Sequence, residues 1–171
     1  MIREATARDA DACLAVYAPY VTDTVISFEA EPPDVTEMAR RIAGAHTWLV
    51  LEDQGRVAGF AYAHRFAERA AYQWSCETTI YLEQGRRRTG AGRALYETLL
   101  ERMRQRGYHR AFAGVTLPND ASTGLHRALG FEPAGVYRRV GWKHGAWRDV
   151  AWFQKDLCAT EGCTCEPAEL T

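Results

Sequence analysis

Apolar positions along the chain keep two periods, and the switches between them mark out the elements. Residues 2–5 read as a short first strand. Behind it Cys13, Val16, Tyr17 and Tyr20 recur at helical spacing, with Thr6 placed to cap that helix. Residues 22–33 carry no period, and Met38, Ile42 and Ala45 then resume the helical one behind Thr36, a second candidate cap. Residues 47–52 and 56–64 are strand-like and are joined by Asp53, Gln54 and Gly55, a compact turn that predicts an antiparallel hairpin. Residues 64–73 lose the pattern and read as a loop across the sheet end.

A strand over 76–82 follows, then a turn rich in arginine and glycine, then a helix with Leu95, Leu99 and Met103 at i, i+4 and i+8 that ends near Gly107. Residues 109–115 form another strand. Asn119 caps a helix whose apolar face is Leu125, Ala128 and Leu129, and Gly130 stops it. Residues 131–140 and 147–157 read as two closing strands around Lys143, His144, Gly145 and Ala146. The expectation is one α/β domain over 1–157, with 158–171 a frayed, flexible tail.

Composition adds exclusions. The chain has 171 residues, 47 % of them apolar, enough for one substantial core, and a formal net charge of −1, so nothing global attracts nucleic acid or an anionic membrane. No apolar run reaches the length of a membrane span, and the first residues lack the apolar core of a signal peptide; a cytoplasmic location is expected. The five cysteines, Cys13, Cys76, Cys158, Cys163 and Cys165, show no framework spacing and read as reduced thiols. The last three lack the paired C-x-x-C of structural zinc, so no metal is expected.

The candidate chemistry lies in the turn Arg86 to Gly92. A strand feeding a helix N-terminus through two glycines brings backbone N–H groups and the helix dipole to one point, and the arginines add cationic reach, which suits a diphosphate. A nucleotide-hydrolase loop would need lysine and then serine or threonine after its last glycine, where Arg93 and Ala94 stand. A dinucleotide fingerprint needs three glycines. An ordinary exposed turn with solvated arginines stays open on this motif alone. So do a core plug or a pocket wall for Phe28, and a buried base or a solvated edge carboxylate for Glu77.

The element order, together with Arg87 to Gly92 as R-x-x-G-x-G and the run Asn119, Ser122, Leu125, Leu129, Gly130 and Phe131, resembles the GNAT N-acetyltransferases. The stretches Glu77 to Leu82, Leu117 to Asp120 and Lys143 to Val150 are similar to the branch that acetylates phosphinothricin and methionine sulfoximine. That resemblance implies an α/β fold with a central, mostly antiparallel mixed sheet flanked by helices. It also implies acetyl-CoA as co-substrate, a small-molecule amine acceptor and a homodimer. Glu77 is implied as the base that frees the acceptor amine. His126 stands where many relatives have a tyrosine acid; acid, second base and structural hydrogen-bonding roles all remain open for it.

The cofactor residues implied are Ile80, Tyr81 and Leu82 along the pantetheine arm, Arg87, Arg88, Thr89, Gly90, Ala91, Gly92 and Arg93 at the diphosphate, and Asn119 and Ser122 further along. A strand amide near Leu82 would donate to the thioester oxygen. For the acceptor the resemblance implies Phe28, Arg69, Tyr72 and Val150, while Ala67 stands where some relatives carry a second basic residue. Peptide N-termini or polyamines are a rival acceptor class, which would want an open acidic groove. A non-catalytic acyl-CoA sensor would have no use for Glu77, and a nucleic-acid module would need exposed aromatics among the arginines.

Overall fold

The computed structural model describes residues 1–86, 90–158 and 169–170. Seven strands form one mixed sheet: β1 (Ile2–Glu4), β2 (Thr47–Asp53), β3 (Arg56–Arg65), β4 (Ser75–Leu82), β5 (Arg110–Thr116), β6 (Glu132–Lys143) and β7 (Ala146–Asp156). Their order is β1-β2-β3-β4-β5-β7-β6, and every neighbouring pair is antiparallel except β4 with β5. Helices α1 (Ala10–Thr22) and α2 (Val35–Gly44) cover one face; α3 (Ala91–Gln105) and α4 (Asp120–Ala128) belong to the other.

Strand alternation divides the core accordingly. Leu49, Ala61, Ala63, Ala111, Ala113 and Phe153 face α3, whose Leu95, Leu99 and Met103 are fully buried against them. Val50, Phe60 and Trp48 face α1 and α2 and pack on Cys13, Val21, Met38 and Ile42. The helix ends follow from glycine. Gly107 and Gly130 adopt φ of +92° and +78°. Behind them Tyr108 N–H reaches the Met103 carbonyl at 3.1 Å, and Phe131 N–H reaches that of His126 at 3.0 Å. Both are the 6→1 bond that closes a helix when the next residue can turn left-handed.

Several boundaries differ from expectation. α2 is capped by Asp34, whose carboxylate accepts the Glu37 N–H at 2.7 Å, and Thr36 lies inside the first turn. Thr6 caps a single 3-10 turn, Ala7–Asp9, before α1 begins. Its N–H and hydroxyl both donate to the Asp9 carboxylate, which Arg3 also clasps. Residues 64–73 contain one 3-10 turn, Ala70–Tyr72. The closing hairpin is longer than the pattern showed, because β6 is almost wholly exposed and carries no core alternation. A bulge interrupts β6 between Tyr137 and Gly141, where Arg139 sits at φ +49° and its N–H is held by the Asp149 carboxylate at 2.7 Å.

Among the described residues no helix is long and apolar enough to cross a membrane, and no cluster of His, Cys, Asp or Glu could hold a metal. Cys163 and Cys165 lie outside the described residues; Cys158 Sγ is 3.1 Å from His109 Nδ1. Leu170 packs on the core cluster beneath α3. Replacing Leu99 by alanine removes buried apolar volume at the centre of α3 and is expected to lower unfolding free energy by about 2–5 kcal/mol, checked by urea denaturation with an unchanged m-value.

Candidate active site

β4 and β5 pair only from Ser75–Arg110 to Glu77–Phe112, although β4 runs on to Leu82 and β5 to Thr116. The two strands part there because each keeps its other neighbour: β4 follows β3 to Leu82–Gly59, and β5 follows β7 to Thr116–Val150. The β3–β4 register is unbroken, and Glu83 N–H bonds the Ala58 carbonyl at 2.9 Å. Alternation therefore turns the amides of Glu77, Thr79 and Tyr81 toward β3 and those of Ile80 and Leu82 into the gap. The Leu82 carbonyl, on the gap side, accepts the Tyr20 hydroxyl at 2.6 Å.

The gap widens into a groove of about 430 Å³ with Ile80, Tyr81 and Leu82 on one wall and Asn119, Ser122 and Leu125 on the other. At its end stand Gly85 and Arg86. α3 starts close by. Gly90, at φ +74°, occupies the N-cap and offers the first-turn amides no side-chain acceptor. A Cβ on Gly92 would lie 2.7 Å from Leu82 Cδ1, so glycine lets the helix begin this near β4 without displacing the Leu82 side chain. Ala91 is the first residue of α3, and Arg93 turns outward to Glu97 at 2.8 Å. Arg87, Arg88 and Thr89 lie outside the described residues. The oxygen of Asn119 accepts the Ser122 N–H at 3.1 Å and so caps α4 at the groove's far wall.

Glu77 stands at the vertex where the strands part, on the α1 face. Burial pushes its carboxyl above the ordinary glutamate range, opposed by the charge of His64, its direct cross-strand partner on β3. No described side chain hydrogen-bonds or ion-pairs with this carboxylate. His64 donates through Nδ1 to the Arg65 carbonyl, 3.0 Å away, and stacks on Tyr62. Sequence reasoning passed over His64, which sits at the frayed end of a strand pattern; only the register with β4 sets it opposite Glu77.

His126 lies on the opposite face, 3 % exposed, among Tyr96, Phe131 and Phe153. Its Nδ1 lies 2.8 Å from the Ser122 carbonyl and therefore donates, leaving Nε2 to accept from the Tyr96 hydroxyl at 3.0 Å. The Tyr96 oxygen is 2.8 Å from Thr78 Oγ1, which in turn is 3.1 Å from the Phe112 carbonyl. Burial holds the imidazole below the usual histidine value, and therefore neutral at neutral pH. The structure thus separates Glu77 and His126 by the thickness of the sheet and joins His126 to the vertex through Tyr96 and Thr78.

The residues expected around the acceptor fall on the Glu77 face. Phe112 neighbours Glu77 across the last β4–β5 pair, Phe66 stacks on Phe112 with centroids 4.2 Å apart, and Tyr72 meets Phe66 edge-on at 5.8 Å. Arg69 precedes Tyr72 at the N-cap of the 3-10 turn, exposed, with no ion pair to any described residue. Val150 lies on the same face of β7 as Trp152, which joins Phe66, Phe112 and Tyr137 around a small apolar pocket of about 160 Å³. Phe28 comes from the α1–α2 loop and rests on Gly141 of β6. Phe112 and Tyr96 were missed as site residues because their side chains read as core, while Trp152 could be read as pocket, dimer contact or core; strand pairing brings all three to the vertex.

A family model described as an acetyltransferase (GNAT) domain matches residues 2–152. The chain is 39 % identical over 159 residues to a phosphinothricin N-acetyltransferase of Streptomyces viridochromogenes, covering 91 % of this chain and 87 % of that protein. It is 32 % identical over 164 residues to an L-methionine sulfoximine/L-methionine sulfone acetyltransferase of Pseudomonas aeruginosa, covering 93 % and 95 %. Among solved structures, a GNAT superfamily phosphinothricin acetyltransferase from Sinorhizobium meliloti in complex with AcCoA superposes with a TM-score of 0.92 at 36 % identity, over 99 % of this chain and 93 % of that one.

The raised Glu77 value has a consequence for stability. A carboxyl whose folded-state pKa exceeds its unfolded value favours the fold when protonated, and that advantage is lost as pH rises from the ordinary glutamate range through the raised value. Glu77→Gln is therefore expected to melt above the parent protein near about pH 8 and level with it near about pH 4, measured by thermal unfolding across pH.

Proposed function

The chain belongs to the acetyltransferase (GNAT) family, and from that membership we propose that it moves the acetyl group of acetyl-CoA to the α-amino group of a small amino-acid analogue. Phosphinothricin, methionine sulfoximine and methionine sulfone define the acceptor class, and transfer is direct, within a ternary complex. The observation that carries this reading is a burial-raised Glu77, without a hydrogen bond or ion pair among the described residues, at the point where β4 and β5 part, beside amides that no described strand pairs.

Acetyl-CoA supplies an activated thioester carbonyl, and the groove between β4 and α4 fits it. α3 begins close to β4 through Gly92 at one end, Ile80 and Leu82 line the middle, and Asn119 with Ser122 forms the far wall. The gap-facing amides of Ile80 and Leu82 are placed to donate to an oxygen on which negative charge develops. Glu77 takes a proton from the acceptor's ammonium, a task that a pKa raised by burial favours. Arg69, without an ion pair among the described residues, and Tyr72 receive the acceptor's anionic group, while Phe28 and Val150 bound its apolar part. His126 works from the cofactor face: with both nitrogens engaged it sets Tyr96 and the start of α4, and acts on the departing sulfur only through that chain.

The same reading places the protein in the cytoplasm as a homodimer, for which Trp142 and Trp147, 62 % and 58 % exposed on the outermost hairpin, supply apolar surface.

A thiol-release assay with a panel of amino-acid analogues, polyamines and short peptides tests the activity. Turnover is expected with the analogues, and thiol release with none of the amines would discard it. Glu77→Gln is expected to lower kcat about 100-fold or more with acetyl-CoA affinity unchanged. His126→Ala is expected to cost less in kcat than Glu77→Gln and to lower the melting temperature.

A further inference from the structure

The loop between α1 and α2 has no repeating structure, yet its carbonyls are gathered by one distant side chain. Lys143 Nζ, at the last residue of β6, lies 2.7 Å from the carbonyl of Val21, 2.6 Å from that of Ser27 and 3.0 Å from that of Glu29. An ammonium has three protons, and all three have acceptors here. The remaining fastenings are separate. Tyr17 holds the Ser27 hydroxyl at 2.7 Å and the Glu29 carboxylate at 3.0 Å, Arg41 clasps that carboxylate at 2.6 and 3.2 Å, and Thr116 reaches the Ile26 carbonyl at 3.3 Å.

Tyr17 and Arg41 tie the loop to the helices it connects. Lys143 ties it to the closing hairpin, more than a hundred residues along the chain. The residue between the two clasped carbonyls of Ser27 and Glu29 is Phe28. Its ring lies on Gly141, where a Cβ would come within 2.3 Å of it, and it stays 43 % exposed. The peptide groups on both sides of Phe28 and the surface beneath its ring are thus set by two residues of one strand, Gly141 and Lys143.

We propose that Lys143 is a positioning residue of the acceptor pocket: its ammonium draws the Val21, Ser27 and Glu29 carbonyls onto the β6–β7 hairpin and so fixes Phe28 as one wall. This rests on the assignment of Phe28 to the acceptor side in the function proposed above. A flexible loop would have to order its backbone each time an acceptor binds, a cost in entropy that falls on acceptor affinity. Holding the loop in advance removes that cost without touching the cofactor groove.

The test compares Lys143→Met, Lys143→Arg and Gly141→Ala with the parent protein by steady-state kinetics and by amide hydrogen exchange of residues 21–30 without substrate. Lys143→Met keeps the aliphatic stem and removes the donors. It is expected to speed exchange in the loop and to raise acceptor KM about tenfold, with the acetyl-CoA KM unchanged and kcat little altered. Lys143→Arg, which restores donors on a different fork, should recover part of both. Gly141→Ala leaves the ammonium in place and displaces the Phe28 ring, so it should raise acceptor KM in the same selective way. Unchanged loop exchange in Lys143→Met would overturn the clamp; faster exchange with an unchanged acceptor KM, or equal rises in both KM values, would overturn its role in acceptor positioning. Failure of the parent protein to acetylate any panel amine would sink the proposed function instead, and the exchange measurement still decides the clamp.

Discussion

A sheet satisfies its backbone by pairing, and this one stops pairing in its middle. β4 and β5 share three rungs and then separate, each bound to its other neighbour along its whole length. A buried amide left without a partner costs about 1–3 kcal/mol, so such a gap is tenable only where water or a ligand reaches it. The fold keeps the gap open rather than filling it: α4 stands off β4 across the groove, capped by Asn119, and α3 begins against Leu82 through Gly92. Both helices end in the same left-handed glycine closure, which fixes their lengths and so the position of their first turns. The groove is a consequence of that parting, and so is the place of Glu77 at its vertex.

Carboxylates elsewhere in the chain show what Glu77 lacks. Asp9 accepts two hydrogen bonds from Arg3 and two from Thr6, and its pKa falls to about 2. Glu29 is clasped by Arg41 and Tyr17. Those groups hold elements together, and each has cationic or hydroxyl partners that satisfy its oxygens. Among the described residues Glu77 has no hydrogen bond or ion pair, and the charge of His64 across the strand pair is set against its own burial. A carboxylate buried without a partner does not stabilise a fold. Its presence is intelligible if a cationic group arrives from outside, as an acceptor ammonium would, and gives up a proton there.

The parts of this structure that were legible in the sequence are the parts encoded locally. Leu95, Leu99 and Met103 mark the buried stripe of α3, Gly107 and Gly130 end α3 and α4, and Asn119 caps α4, all from residues within a few positions of one another. The cofactor side inherits that legibility, since Ile80, Leu82, Gly90, Gly92, Asn119 and Ser122 belong to two short continuous stretches. What the pattern hid depends on pairing at a distance. β6 is exposed on nearly every residue, so its bulge and its true length left no alternation to read. Asp34 caps α2 two positions before Thr36 because the choice between two eligible caps is made by the path of the incoming loop. His64 acquires meaning only from its register with Glu77, and Lys143, which the sequence leaves open to a pocket or a dimer contact, acquires its partners from three carbonyls more than a hundred residues away.

The same distinction bears on what family membership can and cannot specify. The groove that would take a shared co-substrate is built from contiguous motifs, so a match to those motifs carries the groove with it. The proposed acceptor face draws on residues 28, 66–72, 112, 143 and 150–152, supplied by two loops and three strands that meet only in the folded sheet. A change at any one of these positions alters the pocket without disturbing the parting of β4 and β5 or the surroundings of Glu77. On the proposed function, the reaction is set by the sheet, and the acceptor by the side chains and loops laid over its Glu77 face. Phe28 shows how tightly the second depends on the first: its wall position comes from a hairpin that must first pair correctly on β5 through β7 before Lys143 can reach the loop.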